Sequence, residues 1–124
     1  DYLCDVQVLV TLISSDPEIM PDALAALAAS AALAVSDVPI EEVISEVRVS
    51  RLNGQFVINP TRSQMKESDM DFIIAATDKN IMMVEGESKE CQEEDLIKAI
   101  ELARDGKLDA ETRKLPHLPI GITR

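Results

Sequence analysis

Between the runs SEVRVSRL and QFVIN stand Asn53 and Gly54. An Asn-Gly pair flanked by β-prone segments predicts a two-residue type I′ hairpin, because both central residues of that turn need φ > 0. The surrounding stretch EVISEVRVSRLNGQFVIN alternates, with Val43, Ser45 and Val47 on one pattern and Arg48 and Arg51 facing other ways. An antiparallel pair therefore occupies the middle of the chain, and the other segments must cover it. Residues 69–77 and 81–85 predict a second hairpin across Asp78, Lys79 and Asn80, after residues 60–66 leave the sheet.

Upstream, VQVLVTLI at residues 6–13 is short and β-branched, which predicts a strand buried on both faces. SSDPEIMPD follows, and Pro21 with Asp22 beside it marks a helix start. The next 13 residues, ALAALAASAALAV, hold eight alanines. Alanine is the strongest helix former, and a helix apolar all round belongs inside a fold. SDVPI at residues 36–40 ends it. Near the far end, EEDLIKAIELA at residues 93–103 places Leu96, Ile97, Ile100 and Leu102 near helical spacing behind an acidic first turn. The order β-α-β-β-β-β-α predicts an α+β fold, a largely mixed sheet packed with helices. Residues 1–103 read as one partial core. Residues 104–124, with two Gly, two Pro and little periodicity, read as a tail or linker.

At 124 residues the chain can bury one core, built from Val, Ile, Leu, Met and Ala because it has only two Phe and one Tyr. A net charge of −11 works against binding a polyanion by bulk charge. Cys4 and Cys91 form no metal-binding or redox spacing, so free thiols in a reducing, cytoplasmic setting are expected. The longest apolar stretch is shorter than the about 20 residues a membrane span needs, and no membrane association is expected. The opening Asp-Tyr-Leu-Cys-Asp, without Met, reads as the interior of a longer protein.

Few residues invite chemistry. Asp69 and Asp71, two apart at the head of an apolar run, are expected to face one side of a strand, as a metal site or as its polar lip. Arg48 and Arg51 could touch a ligand's phosphates or a neighbouring subunit, but with 23 acidic residues around them ion pairing is the plainer expectation. Ser30 lacks a nucleophile setting and is expected to bond back to its own helix. Cys91 has no nearby His, His117 sits in no catalytic pattern, and Met70, Met82 and Met83 read as core filler. Glu93, Glu94 and Asp95 suit the positive end of a helix and lack the glycine and spacing of a calcium loop.

Three stretches in order, DPEIMPDALAALAASAALAVSDVPI, SEVRVSRLNGQFVINPT and SDMDFIIAATDKNIMMVEGE, resemble polynucleotide phosphorylase, in the later part of that family's first RNase PH-like core. The resemblance implies an RNase PH-like core of the ribosomal-protein-S5-like class. It also implies a bacterial, cytoplasmic, phosphorolytic 3′-to-5′ exoribonuclease that uses inorganic phosphate and magnesium and assembles as a homotrimeric ring around RNA. The family's arginine-rich upstream segment, second core, KH domain and S1 domain lie outside the residues matched. The tail residues DGKLD, LP, His117 and a terminal TR resemble, much compressed, the opening of the second core.

In the family's active core a DMDF-type strand contributes one metal-binding aspartate, partnered by an aspartate six residues earlier and a lysine two residues later. Carried onto this chain these positions are Asp71, Met65 and Ile73. A lone carboxylate holds magnesium poorly. The resemblance thus implies no catalytic and no metal-binding residue in this segment, with Mg2+ expected in the second RNase PH-like core. No residue is assigned to RNA. The expected role is a scaffold half, paired with the second core. The rival readings are a non-enzymatic oligomerising interaction domain and a small metal hydrolase built on Asp69 and Asp71. Unpaired sheet edges also lead to the expectation that the isolated segment self-associates.

Overall fold

The computed structural model describes residues 3–77 and 79–105. Seven elements follow in order: α1 (Asp22–Ala34), β1 (Ser45–Leu52), β2 (Gln55–Ile58), α2 (Arg62–Met65), β3 (Met70–Ala76), β4 (Ile81–Ser88) and α3 (Glu93–Asp105). The four strands form one sheet in the order β2-β1-β3-β4, with every neighbouring pair antiparallel. The α+β class expected from the sequence is the one observed, although the sheet is antiparallel and not mixed. His117 and most of the tail at residues 104–124 lie outside the described residues, as does Asp78 of the second turn.

The Asn53-Gly54 turn forms as its chemistry requires. Asn53 has φ 51° and Gly54 φ 78°, and Leu52 pairs directly with Gln55. In the second hairpin the Thr77 N–H donates to the Asn80 carbonyl at 2.9 Å, while the Thr77 hydroxyl accepts from the backbone of Lys79 and Asn80. β4 runs three residues past its expected end, through Gly86 to Ser88. Gly86 faces Phe72 across the ladder, and a Cβ there would stand 2.7 Å from both the Phe72 Cα and its ring and would run into the Asp71 carbonyl.

Strand alternation sorts β1 into two faces. Val47, Val49 and Arg51 point one way, with Met70, Phe72 and Ile74 of β3 beside them. Here lies the core: Val47, Val49, Met70 and Ile74 pack against Ala99 and Ala103 of α3. The buried stripe of α3 is thus Ala99 and Ala103 with Ile100 and Leu102 beside them, whereas Ile97 is 55% exposed. The small side chains let the helix axis approach the sheet closely, which a search for large apolar residues overlooks. Glu46, Arg48 and Ser50 point to the opposite face, where α1 lies.

Four expectations need correction. Residues 6–13 form no strand and pair with none of the four strands; their apolar side chains are exposed, Leu9 at 82% and Ile13 at 94%. A β-branched run states a preference for a pleated, half-buried surface, which only a neighbouring strand can satisfy. The alanine helix is not enclosed, for it covers β1 with one side and leaves Leu24 and Leu27 half exposed on the other. Met70 is core filler, but Met82 and Met83 lie exposed on the edge strand β4. Ser30 is buried, yet its hydroxyl donates to the Ile44 carbonyl at 2.5 Å and not to its own helix, tying α1 to the approach of β1.

One element was not expected. Thr61 and Gln64 form a capping box around the single turn α2, the Thr61 hydroxyl accepting from the Gln64 N–H and the Gln64 side chain accepting from the Thr61 N–H. Glu18 docks on the same turn, accepting from the Ser63 N–H at 3.2 Å and its hydroxyl at 2.6 Å.

The two glycines predict different penalties. Gly54→Ala should cost about 1 kcal/mol, the price of a left-handed non-glycine residue in open space. Gly86→Ala should cost about 1–3 kcal/mol or more, since backbone and ring must both move. Urea denaturation of the chain checks this; a Gly86→Ala midpoint above that of Gly54→Ala would show that the strands yield freely.

Candidate functional site

Arg48 leaves the middle of β1 on the α1 face, and its backbone is fixed before its side chain is considered. Asn59, held at φ 50°, accepts from the Arg48 N–H at 3.0 Å and donates to its carbonyl at 2.7 Å. The guanidinium then spans two carboxylates. Its Nη1 lies 2.5 Å from Asp71 Oδ2 on β3, and its Nε and Nη2 lie 2.8 and 2.5 Å from Asp22 Oδ2 at the start of α1. The fully buried Ser50, paired with Asp71 across the ladder, donates its hydroxyl to Asp71 Oδ1 at 3.0 Å. Both oxygens of Asp71 are therefore engaged.

Asp71, Ile73, Glu85, Gly86 and Glu87 line a cleft beside Arg48. The register puts Glu87 next to Asp71, and Ile73 between Arg48 and Glu85. Glu46 shares this face. Burial, reinforced by the charges of Asp22 and Glu85, pushes its carboxyl above the usual carboxylate range, with Arg48 opposing.

Arg51, three residues on, emerges on the core face and makes the matching arrangement. Its Nε and Nη2 meet both oxygens of Asp69 at 2.8 and 3.1 Å, and its Nη1 meets Asp95 of α3 at 2.5 Å. The Arg51 hydrogen bond holds the Asp69 carboxyl below the usual range, and Asp69 in turn holds the guanidinium protonated beyond the ordinary arginine value.

The expectation that Asp69 and Asp71 act from one side of a strand is overturned. Asp69 precedes the first residue of β3, where the pleat no longer dictates direction, and its carboxylate turns to an arginine on the opposite face from the one that Asp71 meets. Arg48 and Arg51 are ion-paired, as the acidic surroundings suggested. The acidic start of α3 does more than suit the helix dipole, because Asp95 anchors the helix to β1. Spacing alone could not reveal that partnership, which joins residues 44 apart. Cys91 packs on the core with its sulfur 3.2 Å from the Ser88 hydroxyl, and Cys4 is exposed.

Two positions bear on the magnesium that the resemblance implies. Met65 ends α2 and Ile73 lies mid-strand, and neither side chain offers an oxygen. Among the described residues no three His, Cys, Asp or Glu side chains come together to hold a metal ion, and no helix is long and apolar enough to cross a membrane.

An α+β domain with an antiparallel sheet, a helix on either face and a DMDF-type strand is an RNase PH-type domain. Residues 42–106 match the 3′ exoribonuclease family, domain 2, and the chain belongs to that family. It is 50% identical over 115 residues to the polyribonucleotide nucleotidyltransferase of Amoebophilus asiaticus, covering 92% of this chain and 16% of that protein. The enzymes of the same name from Christiangramia forsetii and Phocaeicola vulgatus are 52% and 56% identical over 105 residues, or 85% of this chain and 14% and 15% of theirs. The chain thus spans about a sixth of the length of these relatives.

The two shifted carboxyls predict opposite pH behaviour. Glu46 has a raised folded value, so its ionised form opposes folding at neutral pH and that opposition is relieved as pH falls through the raised value. Asp69 has a depressed value, so its contribution is complete above the ordinary aspartate range and is lost only as pH falls through the lower folded value. Glu46→Gln should therefore raise Tm at pH 7, with the gain fading on acidification. Asp69→Asn should lower Tm at pH 7, with the deficit closing only in stronger acid. Thermal melts of both variants across pH 2 to 7 read this out (about the span over which carboxylates titrate); a Glu46→Gln chain that melts below its parent at pH 7 contradicts it.

Proposed function

We propose that this chain is a segment of a phosphorolytic 3′-to-5′ exoribonuclease, a polyribonucleotide nucleotidyltransferase, in which it forms part of the non-catalytic first core and scaffolds a homotrimeric ring around RNA. The relatives' name supplies the reaction class, and the small share of their length that this chain spans makes the activity a property of the longer protein. Phosphorolysis of RNA requires inorganic phosphate aligned with the scissile bond and a divalent ion to offset developing charge. In this reading both belong to the second RNase PH-like core, in the cytoplasm, and the first core supplies surfaces.

One observation carries the assignment. On the strand where the family's active core presents a metal-binding aspartate, Asp71 has both oxygens bound by Arg48 and Ser50, with Met65 and Ile73 at the partner positions. Such an arrangement holds strands and helix together and offers nothing to a reacting phosphate.

The test is direct. The chain, shown to be folded by circular dichroism, is incubated with poly(A), inorganic phosphate and Mg2+, and nucleoside diphosphate is measured. No release is expected; release above a phosphate-free control would make this core catalytic and end the scaffold reading.

A further inference from the structure

We infer that Asn53 is a site of self-modification: attack by the Gly54 backbone nitrogen turns its side-chain amide into a succinimide, and water opens that ring to an aspartyl or isoaspartyl residue. Asparagine is a thermolabile residue. Its rate is set by exposure, by a free side-chain amide, by a free N–H on the next residue and by room beside that nitrogen. The hairpin turn meets all these conditions. Asn53 and Gly54 are both exposed. They stand outside the β1–β2 ladder, which closes with Leu52 and Gln55. Among the described residues neither the Asn53 side chain nor the Gly54 N–H has a hydrogen-bond partner. Gly54 has no Cβ to crowd the nitrogen, and the place where one would stand has no atom within 4 Å. The other two asparagines are shielded. Asn59 precedes Pro60, whose nitrogen has no N–H to become the nucleophile, and its Oδ1 accepts from the Arg48 N–H at 3.0 Å. Asn80 precedes the β-branched Ile81, which crowds the attacking nitrogen, and Thr77 holds its N–H and carbonyl at 3.1 and 2.9 Å.

In the first step the Gly54 nitrogen gives its proton to solvent and bonds to Asn53 Cγ, while the Cγ–NH2 bond breaks and ammonia leaves. Water then adds to one of the two ring carbonyls. Opening at Cγ leaves an aspartate at position 53, and an aspartyl-glycine pair still suits a type I′ turn. Opening at the backbone carbonyl leaves isoaspartate, whose chain runs through the side chain and is one methylene longer. A two-residue turn has no slack for that extra atom, so the Leu52–Gln55 pair is released. β2 is four residues long and ends the sheet, with β1 its neighbour. Its far end stays tied to Arg48 through Asn59. The hairpin therefore opens from its tip and loosens Phe56, which packs against the core.

The experiment holds the folded chain at mildly alkaline pH, where the nitrogen loses its proton more easily, and follows each asparagine by peptide mass spectrometry. Conversion of amide to acid at Asn53 should run about tenfold or more faster than at Asn80 or Asn59. Isoaspartate at position 53 is then read by labelled methyl transfer from S-adenosylmethionine with an isoaspartyl methyltransferase. Amide hydrogen exchange at Gln55 and Phe56 should quicken in the isoaspartyl chain. It should not quicken in Asn53→Asp, which has the same charge and an ordinary backbone. Gly54→Ala, which puts a Cβ beside the nitrogen, should slow the conversion by about tenfold or more. If that variant does not fold, Asn53→Gln, which must close a larger ring, should show the same slowing. Several results overturn the inference: an Asn53 that stays intact in the folded chain while the urea-unfolded chain converts, a rate no faster than that of Asn80, or a product that neither accepts methyl groups nor exchanges faster at Gln55.

Discussion

Two arginines three residues apart on one strand hold this domain together. An interval of three on a pleated strand sends them to opposite faces. Arg48 joins β1 to β3 and α1 through Asp71 and Asp22, and Arg51 joins β1 to the head of β3 and to α3 through Asp69 and Asp95. Each helix layer is thereby fastened to the sheet by one guanidinium shared between two carboxylates. Partly buried ion pairs of this kind give little net stability, because desolvation offsets their attraction, but each fixes one arrangement out of many. In a core filled largely by Val, Ile, Met and Ala, whose contacts are not directional, such fixed points decide how helix and sheet are set against each other.

What could be read from the sequence follows the range of the interaction involved. Asn53-Gly54, the second hairpin and the two long helices depend on residues within a few positions of one another, and all are present. The capping box of α2 was equally local, with Thr61 and Gln64 at the required spacing, and a search confined to hydrophobic periodicity passes over it. Residues 6–13 went the other way. Their composition demands a neighbouring strand, and no local pattern can say whether the sheet provides one. The outward half of α1 has the same cause, since being apolar all round describes what a helix prefers and not what covers it.

Of the site, single side chains were legible in the sequence and their partners were not. Met65 and Ile73, at positions where the family's active core carries an aspartate and a lysine, are visible in the bare sequence. That Asp71 would be doubly bound was not, because Arg48 and Ser50 lie 23 and 21 residues away and meet it only through the β1–β3 register. The end of that register separates Asp69 from Asp71, a pair that looks cooperative on paper, because Asp69 stands just outside β3. A motif of two acids spaced by one residue therefore says less than the basic residues that the neighbouring strand sets opposite it.

The capped turn α2 bears on the chain as a polymer. β1 and β3 are joined through β2 and a connection of about 11 residues, from Asn59 to Asp69. Bringing the ends of a flexible tether together costs roughly 1.5RT ln n in entropy, and each doubling of its length adds about 0.6 kcal/mol. The reciprocal Thr61–Gln64 bonds and the grip of Glu18 on Ser63 stiffen the middle of that tether. Four helical residues in effect subtract themselves from the random-walk length. The wandering link becomes a short bracket that presents Met70 to Arg51 already near its register.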